Sequence, residues 1–396
     1  MPRSETTLTA SLLTPPGRGA VAVVRVHAST DQERGLAAQA LDSYFAAANG
    51  RPISAQPIGR LCYGHWKNAD ASEDVVVCRT DDAIIEISCH GGRAAVNRVL
   101  ESLKLSGVRI EDWQSQQAEI TSAFDAELSD ALARATTART AAILLDQMSG
   151  TLTDALKDML SLNEAELASR LDGLLMRAPF GRHLTQPWRV VLAGRPNVGK
   201  STLINTLLGY TRAIVFDQPG TTRDVVTGQT AFDGWPFLLA DTAGIRNATE
   251  ELERAGIERA LRTVGAADLV CLLLDTSQPA TLEDQTLLAE FARTSSCVRP
   301  PVIVVAHKVD LPNQWTEPLP EQALPVSSAT RQGVDELMTR IVQTLIPEVP
   351  LAGTPVPVSE RQVQWLRQAR QKLTAEGLAP AVAAIENCLS GLPFEN

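Results

Sequence analysis

Residues 194–201 read Gly-Arg-Pro-Asn-Val-Gly-Lys-Ser, a full match to G-x-x-x-x-G-K-[ST]. Glycines at both ends let backbone N–H groups wrap around phosphate oxygens, and a helix beginning at the lysine adds the positive end of its dipole. Lys200 is placed to reach the β- and γ-phosphates, and the Ser201 hydroxyl to hold Mg²⁺. The bland alternative is a chance glycine turn ahead of a helix. Against it, the apolar run Val190–Ala193 before the loop reads as a buried strand, and Thr202–Leu208 after it reads as a helix.

Three further segments follow in the order a GTPase requires. The polar turn Pro219-Gly220-Thr221-Thr222-Arg223-Asp224 offers a hydroxyl for the metal, with Thr222 the choice. Asp241-Thr242-Ala243-Gly244 ends the strand Phe237–Ala240. Its carboxylate can hold Mg²⁺ through water, and its glycine N–H can meet the γ-phosphate. His307-Lys308-Val309-Asp310 follows the strand Val302–Val305, and Asp310 can accept both N–H groups of guanine. The usual pattern there is Asn-Lys-x-Asp. His307 therefore either enters the base site or is a loop histidine outside it. In Val326-Ser327-Ser328 a backbone N–H can meet the guanine oxygen, with Ser328 where Ala is usual. The expected GTP contacts are Asn197, Val198, Gly199, Lys200, Ser201, Thr202, Thr221, Thr222, Asp241, Thr242, Ala243, Gly244, His307, Lys308, Asp310, Ser327 and Ser328.

Ile245 stands where a Ras-type enzyme carries the glutamine that orients water. Another residue must do that work; Glu250, Glu251 and Glu253 are near, unless they are the solvated face of a helix over 250–262. No arginine finger is evident. Asn197 either coordinates a monovalent cation that supplies the missing charge or is a spectator in the loop.

These loops need a framework. At 396 residues the chain has length for two or three domains. Its 44% hydrophobic and 21% charged residues fit a globular protein. A net charge of −10, with no block of lysine and arginine, argues against a general electrostatic grip on nucleic acid. Six scattered cysteines without a C-x-x-C pair argue against a zinc site or a disulfide framework. No signal peptide and no apolar run near the roughly 18 residues of a bilayer span are visible. A cytoplasmic protein without membrane association is expected.

The expected fold is multidomain α/β. Residues 1–113 form an α+β domain with strands over 20–26 and 83–88 and a helix over 93–103. Residues 114–185 are helical and broken near Ser149-Gly150. Residues 186–348 form a Ras-like, doubly wound α/β domain with its ligand at the carboxyl ends of the strands. Residues 349–396 complete the helical domain: a Pro-rich connector leads to a capping box at Ser359-Glu360-Arg361-Gln362, then one closing helix towards Leu389. The nucleotide domain would thus be inserted in a helical domain built from two segments.

Two stretches far from the phosphate loop resemble signatures of the tRNA modification GTPase family MnmE (also TrmE). They are Thr14-Pro15-Pro16-Gly17-Arg18-Gly19-Ala20-Val21-Ala22-Val23-Val24-Arg25-Val26 and Glu86-Ile87-Ser88-Cys89-His90-Gly91-Gly92. The loop with Asn197, the turn 219–224 and Asp241–Arg246 resemble its G domain. The resemblance implies a homodimer through the N-terminal domains, with Arg25 and Glu86 at a folate-type site for a formyl-tetrahydrofolate. It implies a K⁺-activated G domain that dimerises to hydrolyse GTP, with Asn197, Phe216, Gln218 and Thr221 around K⁺ and Ser201 and Thr222 on Mg²⁺. Lys200 and Asn197 then act in catalysis beside Glu253, which matches the water-orienting acid. The implied partner is a flavoprotein of the MnmG type, acting with this chain on the wobble uridine of tRNA held by the complex.

The chain departs from the family at three places. The family's Gly-Glu-Phe stretch and its folate-site lysine are not visible around 110–128. The helical regions are shorter. Cys388-Leu389-Ser390-Gly391 stands where the family carries Cys-x-Gly-Lys. These departures leave the GTP-hydrolysing part intact. They keep open a second class, a GTP-controlled dimer switch or assembly factor without tRNA chemistry.

Overall fold

The computed structural model describes residues 8–15, 19–68, 71–210, 227–241, 267–292 and 300–394. The chain divides into two compact units, Met1–Asp130 with Asn387–Pro393, and Ala131–Glu386 with Phe394–Asn396.

The first unit is built on strands whose side chains alternate between core and outer face. β1 (Thr9–Leu12), β2 (Val21–His27), β3 (Phe45–Ala47), β4 (Leu61–Asn68), β5 (Ala71–Arg79), β6 (Ile84–His90) and β7 (Arg109–Ile110) form one sheet in the order β3-β4-β5-β6-β2-β1-β7. Every pair is antiparallel except β1 with β7. Val24, Val26, Ile85, Ile87 and Cys89 point inward, as period-2 alternation requires. Helices α1 (Asp31–Asp42) and α2 (Arg93–Leu105) contribute Leu41, Val99 and Leu103 to the same core. The short helix α3 (Trp113–Ile120) belongs to this unit as well: buried Gln116 accepts from Ser11 Oγ at 2.6 Å and donates to Thr9 Oγ1 at 3.0 Å. Helix α4 (Ala123–Ala133) follows.

In the second unit the helices come first: α5 (Ala138–Asp146), α6 (Leu152–Met159) and α7 (Glu164–Arg182). The break expected at Ser149-Gly150 is a kink between α5 and α6, where Gly150 takes φ 110 within one π turn. Buried Gln147 in that turn donates to Thr354 O and accepts from Val356 N–H, which pins the Pro-rich connector.

The nucleotide-type sheet contains β8 (Trp188–Ala193), β9 (Thr227–Phe232), β10 (Trp235–Asp241), β11 (Leu269–Asp275), β12 (Val302–His307) and β13 (Leu324–Val326) in the order β13-β12-β11-β8-β10-β9. All pairs are parallel except β9 with β10. β11 is buried along its whole length, as a central parallel strand covered on both faces must be. Helices α8 (Lys200–Tyr210), α9 (Leu282–Ala292) and α10 (Val334–Leu345) belong to this region.

Two helices then close the described chain, α11 (Glu360–Ala375) and α12 (Leu378–Leu389). This corrects the expectation of a single closing helix: the run stops at Glu376 and Gly377, whose φ of 91 favours glycine. The capping expectation holds in part. Ser359 Oγ accepts from Gln362 N–H at 3.1 Å, but the Gln362 side chain accepts from Val358 N–H instead of returning to the cap. α11 packs on α7, with an Arg370–Asp172 ion pair at 2.7 Å, so helices from either side of the nucleotide domain touch within this unit.

Candidate functional site

The strand order reverses around β8, with β11 on one side and β10 on the other, and the phosphate loop leaves β8 there. Crevices at such switch points, outside the carboxyl ends of the strands, are where doubly wound sheets bind ligands. Each of β8, β10, β11, β12 and β13 delivers a site residue at or just past its carboxyl end.

Gly194 and Gly199 adopt φ 139 and 103, and Asn197 takes φ 62 at the exposed tip. A Cβ on Gly194 would fall 2.6 Å from Leu273 O, so only glycine lets the loop pass this close to β11. Lys200 opens α8, is buried to 6% exposure, and donates through Nζ to Gly194 O at 2.9 Å and Arg195 O at 2.8 Å. Ser201, one residue on, donates through Oγ to Asp241 Oδ2 at 2.6 Å. A hydroxyl and a carboxylate thus meet at a helix N-terminus, both hard oxygen donors of the kind Mg²⁺ takes alongside substrate phosphates. Among the described residues no group of three or more His, Cys, Asp or Glu could hold a metal ion alone.

His307 ends β12 and is buried to 2% exposure. It is not a peripheral loop histidine. Nδ1 lies 2.8 Å from Val198 O and Nε2 lies 2.8 Å from Ser328 Oγ. Burial pushes its pKa below the ordinary value. The Val198 hydrogen bond opposes that shift, Lys308 adds to it, and Asp275 and Asp310 counter it. A carbonyl only accepts, so Nδ1 carries the proton. The neutral ring then takes the Ser328 hydroxyl proton on Nε2.

Lys308, at φ 63, donates to Asn197 O at 3.2 Å and to Asp275 Oδ2 at 2.6 Å. Burial would raise the Asp275 pKa, but hydrogen bonds from Lys308 and Ser277 and the lysine's charge hold it below the usual carboxylate range. Asp310 accepts from the fully buried Ser327 hydroxyl at 2.6 Å, which fixes the carboxylate's orientation. The Ser327 N–H donates to Gln332 O, so an N–H for a base oxygen must come from elsewhere in that loop. Val198 and Thr202 lie in the loop and in the first turn of α8, as expected.

Two residues not anticipated also hold the loop. Asp275 is one; an acid ending a fully apolar strand was its signal. The other is Asp284, fully buried in α9, with Oδ1 2.9 Å from Arg195 Nε. Thr221, Thr222, Phe216, Gln218, Thr242, Ala243, Gly244, Ile245, Glu250, Glu251 and Glu253 lie outside the described residues.

In the first unit, Arg25 and Glu86 are register partners on β2 and β6, with Nε and Oε1 3.6 Å apart. Arg25 Nη1 donates to Gln117 Oε1 at 2.8 Å. Arg25 Nε is buried and makes no hydrogen bond among the described residues. None of the five described cysteines forms a disulfide, and no described helix is long and apolar enough to cross a membrane.

Residues 189–308 match the profile of a family described as 50S ribosome-binding GTPase. A tRNA modification GTPase MnmE of Geobacillus thermodenitrificans is 32% identical, covering 97% of this chain and 89% of that protein. One from Lactiplantibacillus plantarum is 31% identical, covering 92% and 87%. Among solved structures, the G domain of the T. maritima FeoB iron transporter is 25% identical over 40% of this chain and 99% of that one, with a TM-score of 0.29. Identity sustained across nearly the whole of both chains, on top of a GTPase domain, settles the assignment: the chain is a GTP-hydrolysing enzyme and belongs to the MnmE family of tRNA modification GTPases.

Proposed function

We propose that this chain spends GTP on modifying the wobble uridine of tRNA, in a homodimer that works with a flavoprotein of the MnmG type. The observation that carries the nucleotide half is the Ser201–Asp241 contact at 2.6 Å beside buried Lys200. It brings the two expected oxygen donors together at the mouth of a phosphate loop. The tRNA half rests on what the relatives are named.

In this reading the loop amides and Lys200 bind the β- and γ-phosphates, and Asp310, oriented by Ser327, accepts the two guanine N–H groups. Ser201 and Thr222 would hold Mg²⁺ with Asp241 beside them, and the ion would supply charge stabilisation for the phosphate oxygens. Glu253 orients the attacking water in place of a glutamine. Asn197, Phe216, Gln218 and Thr221 would hold K⁺, which would supply the positive charge that an arginine finger provides elsewhere. The helical segments on either side of residues 186–348 form one helical domain around the inserted GTPase. On the first unit, Arg25 and Glu86 offer a charged pair to a formyl-tetrahydrofolate. Arg25 Nε, which faces Glu86 but makes no hydrogen bond among the described residues, suits a polar ligand there.

The test is genetic and chemical together. tRNA from a strain lacking this chain should lose a wobble-uridine modification by nucleoside mass spectrometry. The parent gene should restore it and Ser201→Ala should not. An unchanged nucleoside profile beside intact GTP hydrolysis would sink the tRNA half and leave a GTP-controlled dimer switch.

A further inference from the structure

We propose that His307 and Ser328 act as one positioning unit that holds the phosphate loop and the base-reading loops in register, so that retention of guanine nucleotide depends on the pair and on neither residue alone. The inference rests on the nucleotide-site reading above. The sequence departs from Asn-Lys-x-Asp at His307 and from the usual small residue at Ser328. In the structure these two departures are hydrogen-bonded to each other, Nε2 to Oγ at 2.8 Å. The other edge of the same ring reaches Val198 O at 2.8 Å. One rigid imidazole therefore ties the phosphate loop, the end of β12 and the loop after β13.

The surroundings fit a strut. The ring lies against Gly199, where a Cβ would come within 2.6 Å of Cε1 and 2.9 Å of Nδ1. It occupies space that only a glycine leaves. Three residues on, Asp310 accepts from Ser327, the neighbour of Ser328. A shift of the ring would therefore be felt at the loop around the phosphates and at the carboxylate that reads the base. His307 meets the loop directly at Val198 and Gly199, and reaches the carboxylate only through Ser328 and its neighbour Ser327.

The alcohol matters because a neutral ring with its proton on Nδ1 leaves Nε2 as a buried acceptor. Ser328→Ala strands that acceptor and should weaken GDP binding roughly ten-fold. His307→Asn keeps a donor for Val198 but abandons the Ser328 hydroxyl, and should cost a similar factor. The double variant His307→Asn/Ser328→Ala restores the usual combination, so it should bind no more weakly than either single variant. Ser328→Thr, which keeps the hydroxyl, should recover most of the alanine loss.

The experiment measures dissociation of a fluorescent GDP from the full chain, with thermal unfolding of each variant as the control for folding. Non-additive losses with matched unfolding temperatures support the pair. Strictly additive losses, about a hundred-fold in the double variant, overturn it, as does Ser328→Ala within two-fold of the parent. A parent chain that fails to bind GDP overturns the nucleotide-site reading and this inference with it. A parent that binds GDP with additive variants overturns the pair only.

Discussion

Gly199→Ala tests whether the phosphate loop and His307 share one space. Gly199 sits at φ 103, a conformation that costs a residue with a Cβ about 1–3 kcal/mol. Its new methyl would lie 2.6 Å from His307 Cε1 and 2.9 Å from Nδ1. The ring cannot retreat cheaply, because both nitrogens are bonded, to Val198 O and to Ser328 Oγ. Overpacking of this kind costs about 1–3 kcal/mol. The two terms give roughly 2–6 kcal/mol, shared between the fold and the grip on phosphate. At about 1.4 kcal/mol per ten-fold, a hundred-fold rise in the GDP Kd accounts for about 2.8 kcal/mol, and a lowered Tm should carry the rest. Replacing His307 with Ala removes the clash but not the backbone strain. In that background Gly199→Ala should cost only the first term. Thermal unfolding and fluorescent-GDP titration of the four proteins close the cycle. Equal cost in both backgrounds would refute the shared-space argument.

Three other outcomes can be measured directly. Asp310→Asn should shift binding from guanosine towards xanthosine nucleotides, losing on the order of 3 kcal/mol for GDP; a competition titration with undiminished GDP preference would remove Asp310 from base reading. Turnover should be faster in K⁺ than in Na⁺ at equal ionic strength, and identical rates would take the ion-binding role from Asn197. Asp268→Asn should destabilise the second unit by about 1–3 kcal/mol at neutral pH, because Asp268 accepts from Arg189 N–H at 2.7 Å and pairs with Arg182 and His183. Burial alone would raise the Asp268 pKa, but the His183 and Arg189 hydrogen bonds and the nearby positive charges hold it down. A depressed folded pKa stabilises above the unfolded value, near 3.9, and that gain fades as pH falls through the folded pKa. The gap between parent and variant should therefore be full at pH 6 and shrink below about pH 4 in denaturant titrations. A gap that widens on acidification would contradict this.

Three strands of the nucleotide sheet, at Val190–Ala193, Phe237–Ala240 and Val302–Val305, were legible because parallel strands buried on both faces must be continuous apolar runs. The equally apolar Leu269–Asp275 carries no motif to single it out, whereas the phosphate loop announces itself by two glycines and a lysine at fixed spacing. Helix ends were less legible. Leu366, Leu373 and Ile385 keep an apolar face across 360–389, and only Gly377 marks where the helix stops. The role of His307 could not be read from the chain at all. Its partners are 109 and 21 residues away in sequence, and no local pattern carries a contact at that range. Asp284 was hidden for the same reason, since an acid in the first turn of a helix already has a local explanation, its bonds to Thr281.

The contacts divide the site between two mounts. Asp241 ends β10 opposite Leu192 of β8, and it accepts from Ser201 in the first turn of α8. His307, Lys308 and Asp310 all follow from one strand end, β12, and two of the three reach back to the phosphate loop at Val198 and Asn197. Base reading and phosphate grip therefore share the β12 end, whereas the carboxylate that meets Ser201 is anchored on β10. Substitutions of His307 and Lys308 should act on nucleotide affinity whichever base is offered, whereas Asp310→Asn changes which base is preferred. Substitutions of Ser201 or Asp241 should act on hydrolysis at saturating GTP. The two classes should separate as changes in KM and in kcat, because an interaction made equally in ground and transition states moves only KM. A β12 variant that lowered kcat alone would mean that the strand end serves the reacting phosphate, and that the two mounts are one.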